Sequence, residues 1–321
     1  MRNRVRYVVG VALIAAVVAG CGSGSDQALR MTLSALATTT PKAVAATPSG
    51  AAPRCDLKAS LRPSAALPAP GAMPPASFME KIRRRGYLIA GVNAAFLHFG
   101  YLNPFTGNIE GFEIDLVRAL AQAIFGNKPN DVQLKALTAD QRIPFVQNGT
   151  VDVVVDAFTI TCDRRQQVDT STVYYDAHQR VLVPSKSTYR GLQDLGGKRV
   201  CATAKTAPIT TIQAYPSHPA PVGLSQAIDC LVELQQGRIS AISTDDAILL
   251  GFKAQDPYTK LVGPNLADAP YGMAISKAHQ DFVRFVNGVL AQMRANGQWQ
   301  ALYKRWLGTP VPAPPPAQYN G

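Results

Sequence analysis

The stretch from Val151 to Ser171, VDVVVDAFTITCDRRQQVDTS, constrains this chain more than any other. Val151, Val153, Val154 and Val155 form a β-branched run, too short and too branched for a helix, so it reads as a buried strand. Strand gives way to loop at Asp156. Ala157 to Thr161 then offer small side chains, hydroxyls and backbone carbonyls, with Asp163, Arg164 and Arg165 following within one turn. Oxygen acceptors and a fixed cation therefore sit a few residues apart. A zwitterionic α-amino acid needs that combination: oxygens for its ammonium, and a guanidinium with hydroxyl and N–H donors for its carboxylate. The plainer alternative is a buried strand followed by a solvated arginine pair.

The ends of the chain read differently. Arg2, Arg4 and Arg6 precede an apolar run, Tyr7 to Ala19, that falls short of the roughly 20 residues a membrane span requires. Residues 1–20 therefore read as a secretory signal. Val18-Ala19-Gly20-Cys21 resembles a lipobox, which implies acylation of Cys21 (palmitate among the chains), an exported protein and a lipid anchor on the outer face of the cytoplasmic membrane. Residues 21–77, rich in Ala, Pro, Ser and Thr, are expected to form a flexible tether, and the Pro-rich residues 309–321 a disordered tail. The formal charge of +11 comes from scattered basic residues apart from Lys81 to Arg85, with few aromatics between them, so no nucleic-acid module is legible. With Cys21 assigned to lipid, Cys55, Cys162, Cys201 and Cys230 remain. An even number in an exported chain argues for disulfides, with three possible connectivities. No Cys/His spacing suggests a metal, and no cofactor motif is present.

In between, short apolar strands alternate with helical stripes, which argues for an α/β fold. Strands are predicted at Tyr87–Val92, Val132–Leu137, Tyr174–Pro184 (around Val181-Leu182-Val183) and Ile239–Thr244. Helical stripes run through Ile114–Phe125, Ala227–Leu234, Ala247–Lys253, Phe282–Met293 and Trp299–Trp306. Asn103–Asn108 reads as a turn, and Thr138–Asn148 as a short helix interrupted by Pro144. The strand before Asp245 and Asp246 runs into a paired carboxylate; Asp246 is expected to cap the following helix.

The run Ala157-Phe158-Thr159-Ile160-Thr161-Cys162-Asp163-Arg164, followed by Val168-Asp169-Thr170-Ser171, resembles the bacterial extracellular solute-binding protein family 3, the polar amino-acid binders. Arg142 to Gly149 resembles its glutamate/aspartate-binding members, and the similarity from about Leu88 to Leu307 extends to actinobacterial glutamine-binding-type lipoproteins. The resemblance implies a two-lobed type II periplasmic-binding-protein fold, each lobe a mixed sheet flanked by helices, joined by two hinge strands. Lobe 1 would comprise residues 78–180 plus 270–308, and lobe 2 residues 181–269. Arg164 and Thr159 would take the α-carboxylate. Asp245 and the Ala157 backbone would take the ammonium, and Phe96 would cover the ligand. Asn93 and Arg142 would meet the side chain, and Thr206 with the Ala207 amide would complete the second loop. At that loop Lys205 and Ala207 depart from the family's Gly-Thr-Gly or Gly-Thr-Thr. Within this frame the favoured disulfides are Cys201–Cys230, inside one lobe, and Cys55–Cys162, stapling the tether's end beside the binding loop.

The implied function is capture of glutamate, aspartate, asparagine or glutamine by a non-enzymatic monomer, through lobe closure. The captured amino acid would pass to ABC transporter permease subunits or to a membrane sensor protein. Asp156, where a small residue is usual, faces the ammonium or pairs with a neighbouring arginine. An alternative on the same fold is a cyclohexadienyl (prephenate/arogenate) dehydratase.

Overall fold

A computed structural model describes residues 55–64, 66–127 and 131–320. The segments expected to be a secretory leader and the first part of a tether, Cys21 included, lie outside the described residues.

The order of elements begins with β1 (Ala59–Leu61), α1 (Phe78–Arg85) and β2 (Leu88–Val92). A small meander follows, of β3 (Ala95–Phe96), β4 (Gly100–Leu102) and β5 (Ile109–Glu110). Next come α2 (Phe112–Phe125), β6 (Val132–Ala136), α3 (Arg142–Gln147), β7 (Val153–Val155), α4 (Cys162–Gln167) and β8 (Asp169–Thr170). The long β9 (Tyr175–Pro184) opens a second sheet with β10 (Arg199–Thr203), α5 (Ala207–Ala214), β11 (Ala220–Leu224), α6 (Ala227–Gln235), β12 (Ala241–Asp245), α7 (Asp246–Gln255) and β13 (Thr259–Tyr271). The chain returns through β14 (Ala274–Ile275), α8 (Gln280–Ala295), α9 (Gln298–Leu307) and β15 (Gln318–Asn320).

Two five-stranded mixed sheets result, ordered β6-β2-β7-β14-β8 and β11-β10-β12-β9-β13. In each, the strands that carry binding loops run parallel: β2 with β7, and β10 with β12. Ligands of open α/β sheets sit beyond the carboxyl ends of such strands. The valine run of the 151–171 stretch is β7, fully buried at the centre of the first sheet, as its β-branched composition predicts. Helix α2 starts abruptly at Gly111, whose φ of 141° only glycine adopts readily and where a Cβ would fall 2.1 Å from the Phe99 carbonyl oxygen. That tight corner seats the apolar stripe Ile114, Val117, Leu120 and Ala121 in the core. Helix α1, unmarked in the sequence reading, has Ser77 at its N-cap accepting from the Glu80 amide at 3.1 Å, and a left-handed Gly86 ends it.

The chain crosses between sheets twice, along β9 and along β13, whose Ala267–Tyr271 half pairs antiparallel with Tyr175–Gln179. Beyond this ribbon both strands continue into the second sheet.

The ends of the described chain differ from expectation. The Pro-rich tail is not disordered: β15 pairs parallel with β1, and Val311 packs against the main core. Within the stretch expected to be a flexible tether, the described residues are ordered, with Ser60 and Met73 buried. The Asn287 amide of α8 is fully buried, donating to Ser60 Oγ (2.8 Å) and the Leu61 carbonyl (2.7 Å) while accepting from the Thr172 amide (2.7 Å). These long-range partners are invisible to a composition argument. Both disulfides, Cys55–Cys162 and Cys201–Cys230, are formed.

Candidate functional site

The chain beyond the ends of β2 and β7, at Phe96 and Ala157, and the last residues of β10 and β12, Thr203 and Asp245, line one cleft. The cleft is lined by Phe96, Arg142, Ala157, Thr159 and Arg164 from one side, and by Thr203, Thr206, Pro208, Thr244, Asp245 and Ile248 from the other.

On the first side, the loop after β7 turns at Ala157, held in the left-handed region at φ 41°. The Ala157 amide donates to Glu113 Oε1 at 2.7 Å, and the Tyr174 hydroxyl donates to the same oxygen. Burial, with Asp156 nearby, pushes the Glu113 carboxyl up to about 7. Helix α4 begins just after Thr161, whose hydroxyl caps it by accepting from the Arg164 amide at 3.2 Å. Cys162 ties this end of the helix to Cys55. Arg164 then folds back over the loop: Nη1 donates to the Thr159 carbonyl at 2.8 Å, and the guanidinium lies 4.5 Å from the Phe158 ring centroid. Burial and the nearby Arg142 lower its pKa to about 10, which leaves it cationic at neutral pH.

On the second side, Asp245 occupies the N-cap position of α7 with its side chain uncommitted to the helix. Tyr271 donates its hydroxyl to Asp245 Oδ2 at 2.7 Å, and Asp245 Oδ1 is buried with no hydrogen-bond partner. Burial pushes this carboxyl up to about 6, against the pull of Tyr271. Thr159 reaches across to Asp245 Oδ2 at 3.5 Å, so the two lobes meet at the site. An anionic acceptor and a fixed cation are thus held on opposite walls, with small hydroxyl side chains between them.

Several expectations are corrected. Asp246 is the first helical residue of α7, not its cap; its Oδ1 accepts from the Ala247 amide (2.8 Å) and the His178 amide (3.2 Å). Asn93, expected to touch a ligand, does not line the cleft: Oδ1 accepts from the Ala95 amide at 2.8 Å, and its amide serves Asp156. Arg142, expected to meet a ligand's side chain, does line the cleft, but it arrives engaged, its Nε and Nη2 donating to Asp156 at 2.8 and 3.1 Å. Of the two roles considered for Asp156, pairing with an arginine is the one observed. Burial pushes its carboxyl upward while Arg142 and Asn93 oppose, and both oxygens accept, as a carboxylate's do.

Thr206 lines the cleft and Ala207 the wider groove just outside it. Lys205, at φ 59°, adopts the left-handed backbone for which glycine is the usual residue. Thr203, Thr244 and Tyr271 were not singled out as site residues. Thr203 ends β10 and Thr244 directly precedes Asp245 at the end of β12, positions that signal the site; Tyr271 reaches Asp245 only through the tertiary fold.

The profile of the family described as bacterial extracellular solute-binding proteins, family 3, matches residues 88–309. The ABC transporter glutamine-binding protein GlnH of Bacillus subtilis (strain 168) is 32% identical over 230 residues, covering 71% of this chain and 84% of that protein. A mutant arginine-binding protein from T. maritima superposes with a TM-score of 0.67 at 29% identity, covering 72% of this chain and 99% of its own. An ancestral arginine-binding protein bound to glutamine gives 0.65 at 30% identity, covering 70% and 99%. The architecture is the two-lobed type II periplasmic-binding-protein fold. These relatives are solute-binding transport proteins rather than enzymes, which sets aside the dehydratase alternative. Matched over most of its described length, the chain belongs to the bacterial extracellular solute-binding proteins, family 3.

Proposed function

We propose that this protein captures a polar amino acid between its lobes, for uptake by an ABC importer. Members of the family bind small polar and basic amino acids for such import. The observation that carries the reading is the opposition of Arg164 to the buried, unpartnered Asp245 Oδ1 across a cleft of threonine hydroxyls. Arg164, with Thr159, takes the α-carboxylate; Asp245 and the Ala157 carbonyl take the ammonium; Phe96 covers the side chain. Thr206 and the Ala207 amide close the second wall. Arg142 meets the end of the ligand's side chain, and glutamate, aspartate, asparagine and glutamine are the candidates.

Each charge-assisted hydrogen bond contributes about 1.5–3 kcal/mol. A handful of them, less the cost of ordering the lobes, matches micromolar affinity, about 8 kcal/mol. Calorimetric titration of the ligand-stripped protein with each common amino acid tests the reading, with Arg164→Ala as the control. Binding lost in the variant supports it. Silence across the panel from a folded sample removes it.

The protein is proposed to act as a monomer, exported and held at the outer face of the cytoplasmic membrane by lipid on Cys21. There it serves permease subunits or a membrane sensor. Radiolabelled palmitate on the native chain, absent from Cys21→Ser, checks the anchor; amino-acid uptake by a deletion strain separates importer from sensor.

A further inference from the structure

We propose that Asp156 makes this site selective for amino acids whose side chain ends in an uncharged hydrogen-bond acceptor, the amide class, over those ending in a carboxylate or a cation. The inference deepens the amino-acid reading above and rests on it. With Arg164 and Asp245 committed to the ligand's backbone charges, Arg142 is the charged group of the same cleft left to meet the side chain. Its fork is already closed on Asp156 through Nε and Nη2, and Asp156 itself is fully buried and does not line the cleft.

Three ligand classes then meet different surroundings. A side-chain carboxylate finds a guanidinium whose charge is balanced. The pairs Arg142 with Asp156, and Arg164 with Asp245, sum to zero, and a zwitterion leaves that sum unchanged. An acidic ligand adds one uncompensated negative charge to a desolvated cleft, with the buried acid Glu113 directly behind it. A cationic side chain meets the guanidinium first, because Arg142 stands between the cleft and Asp156. An amide carbonyl accepts from the remaining N–H groups of Arg142 without changing the charge at all.

The test is calorimetric titration of the full chain, stripped of ligand by unfolding and refolding, with L-glutamine, L-asparagine, L-glutamate, L-aspartate and L-arginine at about pH 7. One of the two amides is expected to bind at least about tenfold more tightly than either acid and than arginine. Asp156→Asn, which keeps shape and removes the charge, is expected to move the amide-to-acid ratio of affinities by about tenfold or more toward the acids. That ratio is a quantity a merely structural role leaves alone. The proposal is overturned if the native protein prefers glutamate, aspartate or arginine, or if a folded Asp156→Asn protein keeps the native ratio. Should the variant not fold, the native ratio decides by itself. Tight binding with an acid preference sinks this inference and spares amino-acid capture, whereas no heat from any of the five, nor from the rest of the common amino acids, sinks both.

Discussion

At the scale of single residues, Asp245 is where burial and function pull against each other. Its carboxyl is raised to about 6 chiefly by desolvation, and an ammonium ligand requires it ionised. Affinity for an amino acid should therefore fall as pH drops below about 6, approaching tenfold per pH unit, and level off above it. Titrations at about pH 5, 6, 7 and 8 read this directly; Asp245→Asn should bind more weakly and lose the pH dependence. The stability of the ligand-free protein moves the other way. A native value of about 6 against an ordinary 3.8 means that the folded state holds the proton more tightly. The contribution of Asp245 is thus greatest below the unfolded value and is lost, by about 3 kcal/mol, as pH rises through the native one. Comparing urea unfolding of the native protein and Asp245→Asn between about pH 4 and pH 7 isolates it. The place of Asp245 at a strand's end was legible from a run of apolar and small residues leading into paired carboxylates. The division of labour with Asp246 was not, because a one-residue shift in where α7 begins decides which carboxylate faces the cleft and which becomes the first helical residue.

At the scale of elements, α7 and α8 each carry one residue on which a larger arrangement depends. Gly251 in α7 packs against the β3–β4 connection of the other lobe, where a Cβ would lie 3.2 Å from the Leu97 carbonyl oxygen. Gly251→Leu is expected to wedge the lobes apart, weakening ligand affinity by about ten- to a hundredfold with little loss of stability in the ligand-free state. Small-angle scattering should then show no ligand-induced contraction. On α8, Asn287→Ala leaves the buried Thr172 amide unsatisfied and removes a donor from the Leu61 carbonyl, a cost of about 1–3 kcal/mol measurable by denaturant unfolding. The helical stripe of α8 was readable from Phe282, Phe285, Val286, Val289 and Leu290. The importance of Asn287 within it was not, since a polar residue among apolar ones has meaning only through its distant partners.

At the scale of the molecule, the proposed function rests on two lobes joined by the ribbon of β9 and β13 and meeting across the site at Thr159 and Asp245. A ligand bound between them stabilises the folded state by mass action, about 2.7 kcal/mol at a hundred times Kd. The melting temperature should therefore climb with ligand concentration in the native protein and stay flat in Arg164→Ala. The cleft-facing placement of Asp156's partner shows the limit of a local reading. Arg142 and Asp156 are fourteen residues apart and lie on α3 and the loop after β7; only the packing of α3 over that loop makes them a pair.

The sequence by itself determined the elements and their chemistry: a valine run too branched for a helix, apolar stripes at helical spacing, small hydroxyl residues and an arginine after a buried strand, and four cysteines for two disulfides. Each of these is set by neighbours within a few residues, through backbone sterics and periodicity. Only the tertiary structure decided which charges are free to meet a ligand and which are already paired, and that the Pro-rich tail becomes a strand on β1. Those outcomes depend on partners that chain connectivity does not reveal, and burial, which multiplies the cost of an unpaired charge, exists only once the lobes have formed.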